Sequence, residues 1–313
     1  AVTQLEEKIS EVCGLNMVGA PAHISADVND KVFSRQTAQK LGLTVCQGKI
    51  CSDVDELKSE YFKLKNNPPY FKRVIIKEPH GASGKGLYIV DNDKELDYTL
   101  MLISRFARKS PGLKWVIEGW YDDKDDLNYQ VYISPKGEVT TFSIKQQALK
   151  DTVYIGSTMP PVLDEGIVKE YESYGQKIGK YLYSHGYTGV IGIDSIVIKG
   201  STLVPIIEIN GRFTLSTYIS FVSRVFGNAK VNARYYSLNL DKRLGYEELC
   251  RILKDEEILY DIEKNEGVFI YTSSTLPTRY YWQSKAYKGR VFTLIISHSW
   301  EKIREYSTKL SQL

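Results

Sequence analysis

Apolar and polar positions along this chain follow two periods, a helical one near the start and a strand one further on. Val54, Leu57, Tyr61 and Leu64 fall on one helix face, and Ser52 with Asp55 three residues later predicts the cap of that helix. Asn66-Asn67-Pro68-Pro69 ends it. Before it, Gln4 to Val12 reads as a helix, followed by a Gly/Pro/Ala stretch to Ala22. Asn29-Asp30-Lys31 opens another helix carrying Phe33, Ala38 and Leu41 and stopping at Gly42. Leu43 to Cys46 reads as a short strand. From Arg73 the pattern changes. Arg73 to Lys77 and Leu87 to Val90 are expected strands around a glycine-rich loop, with a helix from Lys94 to Lys109 after them. Trp115 to Tyr121, Leu127 to Ser134 and Glu138 to Lys145 read as successive strands, and Ile167 to Tyr183 as a long amphipathic helix. Two further strands, Gly189 to Ile198 and Leu203 to Ile209, flank Lys199-Gly200-Ser201-Thr202. Helices are expected at Thr217 to Phe226 and Tyr246 to Ile262, strands at Val268 to Thr272 and Arg290 to Ser297, and a last helix at Trp300 to Leu310. Strands in antiparallel runs between helical blocks indicate an α+β fold.

Composition narrows the function classes. The 313 residues are 42% hydrophobic and 25% charged, enough to build a core without disulfides or metal staples. Lys and Arg number 41 against 38 Asp and Glu, a net charge of +3, which is too weak for a nucleic-acid footprint. No apolar run reaches the roughly 18–20 residues of a membrane span. The opening residues are polar and acidic, unlike a secretory signal, and the absence of an initial methionine reads as clipping or processing. Cys13, Cys46, Cys51 and Cys250 have no metal-ligand spacing, so a reduced, cytoplasmic protein is expected, with Cys13 and Cys250 as core thiols.

The loop Glu78-Pro79-His80-Gly81-Ala82-Ser83-Gly84-Lys85-Gly86 excludes several phosphate-binding patterns. Gly81 and Gly84 are three apart, Gly86 stands where a Walker loop needs Ser or Thr, and a strand follows where a helix should. A kinase flap needs G-x-G, which Gly81-Ala82-Ser83 breaks, and no H-R-D or D-F-G comes later. What remains is a hairpin flap with Lys77 at the end of its first strand. Its glycines let backbone N–H groups approach phosphate oxygens. His80 is expected to be solvated, and Asp122 to Asp126 to be an exposed turn.

Glu208, Asn210 and Arg212 lie at i, i+2 and i+4 on an otherwise apolar strand and share a face. Unpaired burial of such groups is costly, and an oxygen-liganded cation would relieve it. Carboxylate and amide oxygens suit Mg²⁺, with Asp194, alone in the strand Gly189 to Ile198, as the second carboxylate. Sharing a cation requires both carboxylates on one face of paired antiparallel strands. Their position numbers sum to 402, whereas a two-residue Gly200-Ser201 turn gives pairs summing to 401 and sends them to opposite faces. An odd loop, such as Gly200 to Thr202, or a bulge is therefore expected.

Taken together, Lys31, Lys77 before K-E-P-x-G-A-S-G-K-G, Asp194, and E-I-N-G-R at Glu208 to Arg212 resemble the ATP-grasp ligases over roughly Asp27 to Phe213. The wording is most similar to ligases of peptide and antibiotic biosynthesis, of the butirosin-pathway type that loads glutamate onto a carrier protein. The resemblance implies two α+β subdomains gripping ATP: a remnant of an N-terminal region at 1–26, a lid subdomain with the flap at 27–120, a metal and catalytic subdomain at 121–230, and a C-terminal α+β extension at 231–313. The usual N-terminal α/β domain is then reduced or missing. The resemblance further implies that Lys31, Lys77, Gly81, Ser83, Gly84, Gly86 and Glu118 bind the nucleotide. Asp194, Glu208 and Asn210 would hold two Mg²⁺ ions, with Mn²⁺ as a substitute. Relatives carry an arginine two residues before the Asp, where this chain has Gly192, so the catalytic charge-offsetting role falls to Arg212 or to another group such as Lys145. The implied activity is ADP-forming ligation of an amino-acid-like carboxylate, by way of an acyl phosphate, to an amine or a thiol, an acyl carrier protein among the acceptors. A phosphoryl transferase and a nucleotide-binding module without turnover are the rival readings.

Overall fold

The computed structural model describes residues 1–81, 85–110, 112–150, 152–199 and 201–313. Polar caps start its early helices. Thr3 and Glu6 form a reciprocal capping box on α1 (Gln4–Cys13). After α2 (Ala22–Val28), Asp30 accepts from the Val32 N–H at the head of α3 (Lys31–Lys40). The segment Leu43 to Cys46 carries no ladder. Pairing falls instead on β1 (Gly48–Cys51), because a Cβ at Gly48 would sit 1.9 Å from the Ile117 carbonyl oxygen, so a glycine there lets the backbones meet. The cap of α4 (Val54–Asn66) is Asp53, not Ser52. Its carboxylate accepts from the Glu56 N–H, while the Ser52 N–H donates to the Glu56 side chain.

The chain continues through β2 (Val74–Lys77), β3 (Leu87–Val90), α5 (Asp93–Lys109), β4 (Trp115–Gly119), β5 (Lys124–Ile133), β6 (Val139–Lys150), β7 (Val153–Met159), α6 (Glu165–Ser184), β8 (Gly189–Ile198) and β9 (Thr202–Asn210). It ends with α7 (Leu215–Val222), a 3₁₀ turn over Ser223–Phe226, β10 (Lys230–Leu240), α8 (Tyr246–Asp255), β11 (Gly267–Thr272), β12 (Tyr280–Tyr281), β13 (Ala286–Ser297) and α9 (Trp300–Gln312). The expected exposed turn at Asp122 to Asp126 is in large part strand: Lys124 pairs with Ile198 at the start of β5, and only its first acid, Asp122, reaches out to Arg73. The helix expected to run to Ile262 stops at Asp255. Glu257 turns into the left-handed region (φ 58°), and Leu259 then bridges to Val268. Cys13 is exposed and Cys250 half-buried, so the core thiols are Cys46 and Cys51.

Two compact units result, Ala1–Ile144 with Asp164–Thr214 and Lys145–Leu163 with Leu215–Leu313. In the first, a four-stranded antiparallel sheet runs β1-β4-β2-β3. Val74, Ile76, Trp115 and Ile117 point from one face into a core with Leu57, Tyr61, Leu96 and Ile103 of α4 and α5. Each such side chain contributes about 1.5–3 kcal/mol on burial. Residues of the other parity, Ile75, Lys77, Val116 and Glu118, therefore share the opposite face. In the same unit β5, β8 and β9 pair antiparallel in that order. In the second unit the order is β11-β13-β10-β7, again antiparallel, with Val291 and Ile295 packed on Leu253 of α8 and Ile303 of α9. Among the described residues no helix is long and apolar enough to cross a membrane.

Lys145, on β6, is fully buried in the second unit, where its ammonium donates to the Ser216 carbonyl and the Ser220 hydroxyl of α7. Burial pulls its pKa down to about 7, against 10.5 for the free side chain. Between these values the unfolded chain binds the extra proton, so stability rises with pH there, by up to about 1.4 kcal/mol per pH unit. Neutral Lys145 keeps both donated hydrogen bonds. Denaturant midpoints taken between about pH 7.5 and pH 9.5 should rise for the wild type relative to Lys145→Met. Parallel pH dependences for the two proteins would show that Lys145 is charged in the fold.

Candidate active site

Helix α3 carries three of the polar side chains that organise the site. Lys31, its first residue, is 3% exposed, and its ammonium lies 3.2 Å from Glu208 Oε1 and 3.1 Å from the Gly81 carbonyl oxygen. The Lys31 N–H donates to the Pro79 carbonyl, so the base of the glycine-rich loop is tied to the helix twice. Ser34, a turn further, accepts from the Ile209 N–H at 3.0 Å and seats α3 on β9. Arg35 reaches Glu118 on β4 at 2.5 Å and also donates to the carbonyls of Cys46 and Gly48.

Glu118 is 6% exposed, and both its oxygens are engaged, Oε1 by Arg35 and Oε2 by Lys77 at 2.5 Å. Burial is the largest single influence and would lower the Lys77 pKa, but the Glu118 carboxylate, Cys46 and Glu208 together outweigh it and hold the ammonium above its ordinary value. Lys77 is thus a buried cation locked in the charged form. Burial pushes the neighbouring Cys46 thiol up to about 12, so it is not a nucleophile at neutral pH.

Asp194 and Glu208 stand directly opposite each other across β8 and β9, and Gly192 opposes Asn210. The position numbers of that carboxylate pair sum to 402, while Ile198 with Thr202 and Ile196 with Val204 sum to 400. The ladder shifts by two between them: Ser195 on β8 faces three residues of β9, beginning with Pro205. A proline lacks the N–H a regular ladder needs, and its carbonyl accepts instead from the buried Tyr129 hydroxyl at 2.7 Å. The odd loop is Lys199 to Ser201, of which Gly200 lies outside the described residues. Both expected devices are present, and an even offset keeps the carboxylates on one face.

Amides surround that pair. Asp194 accepts from Asn128 at 2.8 Å and from Asn210 at 3.0 Å, and Gln130 donates to Asn128 at 2.6 Å. A Cβ on Gly192 would come within 2.6 Å of Gln130 Nε2, so Gln130 fills the space that a side chain at 192 would need. Arg212, half-buried just beyond β9, donates to Asn29 Oδ1, which also takes the Gly211 N–H at 3.1 Å. Among the described residues no three His, Cys, Asp or Glu side chains converge to cage a metal. Two carboxylates with amide oxygens are nonetheless the donor set that Mg²⁺ takes when phosphates and water complete its shell.

The structure thus brings together Lys31, Gly81, Glu208, Asp194 and Asn210, and separately Lys77 with Glu118. Gly81 and Gly86 are placed. A Cβ at Gly81 would lie 2.3 Å from the Lys85 carbonyl oxygen, and Gly86 has φ +74° with the Glu78 side chain beside it. Ser83 and Gly84 lie outside the described residues. Arg35, Asn29 and Asn128 were not anticipated. Arg35 stands four residues after Lys31, so the spacing puts the two on one helix face but does not give the Glu118 partner across on β4. Asn128 is found only through its pairing with Asp194.

Residues 36–215 match the ATP-grasp domain, and 248–310 match the PGM1 C-terminal domain. A [butirosin acyl-carrier protein]–L-glutamate ligase from Niallia circulans is 27% identical over 311 residues, covering 96% of this chain and 68% of its own. The carbamoyl phosphate synthase large chain of Clostridium botulinum (strain Loch Maree / Type A3) is 22% identical, covering 75% of this chain but 21% of its own. Among solved structures, an ADP complex of N5-carboxyaminoimidazole ribonucleotide synthetase aligns with a TM-score of 0.64 at 14% identity, covering 91% of this chain and 71% of that one. The biotin carboxylase domain of Hydrogenobacter thermophilus 2-oxoglutarate carboxylase gives 0.68 at 17%, covering 95% and 68%. At such identities the structural likeness is one of fold. The domain match, by contrast, spans more than half of the sequence, and the chain belongs to the ATP-grasp family.

Proposed function

We propose that this protein is an ADP-forming ligase that activates a carboxylate with ATP and passes the acyl group to an amine or a thiol. The observation that carries the reading is the direct opposition of Asp194 and Glu208, with Lys31 on one of them and asparagine amides on the other. In this reading Asp194, Glu208 and the Asn210 amide oxygen hold Mg²⁺, which when bound offsets the charge of the nucleotide phosphates. Lys31, Lys77 and the backbone of the loop from Gly81 to Gly86, Ser83 and Gly84 included, hold the phosphate tail. Glu118 acts through Lys77, keeping that cation charged and in place.

A substrate carboxylate oxygen attacks the γ-phosphorus, ADP leaves, and an acyl phosphate remains. The acceptor nitrogen or sulfur then attacks the acyl carbon, inorganic phosphate departs, and the acceptor proton goes to solvent or phosphate. Arg212 offsets charge on the acyl phosphate, its fork held in direction by Asn29. The carrier-protein ligase relative supports an amino acid as the carboxylate and a carrier-protein thiol among the acceptors.

ADP release in the presence of Mg²⁺ should require both an acid and an acceptor, and hydroxylamine should trap an acyl hydroxamate when the acceptor is omitted. Release that proceeds at full rate with no acid present would leave the ligase reading without support. Glu208→Gln removes charge while keeping shape, and turnover should fall by about two orders of magnitude or more. Lys77→Met should weaken ATP binding by roughly tenfold as well as slow the chemistry, since its charge meets phosphate already in the ground state. Arg212→Lys keeps the charge but loses the planar fork, so single-turnover ADP formation should suffer more than ATP affinity. Normal turnover by Glu208→Gln would overturn the metal assignment.

A further inference from the structure

The second unit carries a cationic groove that the proposed ligation does not use. It is an open groove of about 730 Å³ lined by Arg279, Lys288, Arg290, Ser274, Thr275 and Tyr281 among others, with no Asp or Glu among the described lining residues. The sequence behind it is unusual for this chain, which has 38 acidic residues in 313 but none from Gly267 to Trp300. Lys288 and Arg290 alternate on β13 and so share a face, where the register sets Asn239 and Ser237 of β10 opposite them. The loop Thr275 to Pro277 crosses beside them because position 289 is glycine; a Cβ there would lie 2.4 Å from the Pro277 nitrogen. Thr275 locks the crossing by exchanging hydrogen bonds with the Arg290 backbone at 2.7 and 2.9 Å.

Two of the three cations lie over aromatic rings, not against carboxylates. Arg279 lies over Tyr281 at 5.7 Å and Arg290 over Tyr235 at 5.5 Å. Among the described residues the ion pairs of this unit, such as Arg251 with Glu248 and Lys302 with Glu305, leave all three aside. Beside the groove, at the tip of the β12–β13 hairpin, Trp282 is 84% exposed and Tyr281 44%. Tryptophan, tyrosine and arginine together are the residues that dominate protein interfaces. Sites for small ligands are concave and bury most of their occupant, whereas every cation here stands open to water.

We propose that this groove docks an acidic polypeptide, whose carboxylates meet Arg279, Lys288 and Arg290 while an apolar side chain rests on Trp282. Charge complementarity of this kind mainly sets encounter rate and orientation, and it weakens with salt. The test is fluorescence anisotropy with the full chain and a labelled Glu/Leu amphipathic peptide, beside the same peptide with Gln for Glu. The acidic peptide should bind, the Gln peptide at least about tenfold more weakly, and added salt should lower the affinity by a similar factor. Lys288→Glu alone should weaken binding several-fold and Arg279→Glu with Arg290→Glu abolish it, while ATP affinity and unfolding midpoint stay at wild-type values. Trp282→Ala should cost affinity without altering the salt dependence. Equal binding by Lys288→Glu and wild type, or binding of the Gln peptide as tight as the acidic one, would overturn the proposal. So would stronger binding of pyrophosphate or a single-stranded oligonucleotide, which would make the groove a phosphate site.

Discussion

Two carboxylates facing each other across neighbouring strands repel, and the arrangement of this site follows from what offsets that repulsion between Asp194 and Glu208. Like charges directly opposed in a sheet are destabilising, so each must be matched. Glu208 is matched by Lys31, which sits at the first position of α3 because Asp30 caps the helix just before it. Asp194 is matched by dipoles, the amides of Asn128 and Asn210. Neither arrangement removes the negative charge of the pair as a whole. That residual charge, on oxygen donors alone, is what makes a divalent cation the natural complement.

A second balance lies on the neighbouring sheet. Glu118 is shared by Arg35 and Lys77, so one carboxylate serves two buried cations and a positive charge is left over. Removing one member of a buried ion network typically costs about 3–5 kcal/mol, which ties the position of Lys77 to the integrity of α3 and β4. Helix α3 thus links both balances, with Lys31 at one end of a turn and Arg35 at the other. Lys31, Arg35, Lys77 and Arg212 set four cations against the three carboxylates of Glu118, Asp194 and Glu208. The modest surplus suits a polyanionic nucleotide that arrives with its own metal ion.

Much of this was legible in the chain because it rests on local rules. The strands Leu87–Val90 and Gly189–Ile198 follow from their apolar runs, and the head of α3 from Asp30. Parity arithmetic called for an odd loop or a bulge between Asp194 and Glu208, and the ladder carries both, the bulge beginning at Pro205. What escaped depends on distant partners. Strand β10 was hidden because the adjacent Tyr235 and Tyr236 break the alternation that Val231 and Ala233 begin. Its pairing partner β13 lies some fifty residues on. Glu118 reads as one charge in an apolar strand, and its role in holding Lys77 depends on Arg35, whose reach across to β4 no spacing rule supplies. Cys13 was misplaced because α1, although amphipathic in sequence, buries none of its residues.

As a divalent-cation site, the opposed carboxylates of Asp194 and Glu208 should take up a paramagnetic ion. Electron paramagnetic resonance of Mn²⁺ titrated against the protein and ADP measures this directly, because bound ion loses the sharp signal of the free ion. Wild-type protein should take up Mn²⁺ in an ADP-dependent manner, and Asp194→Asn, which keeps the hydrogen-bonding shape but removes the charge, should bind at least about tenfold more weakly while still folding. Uptake by Asp194→Asn with wild-type affinity would show that the Asp194 carboxylate holds no cation.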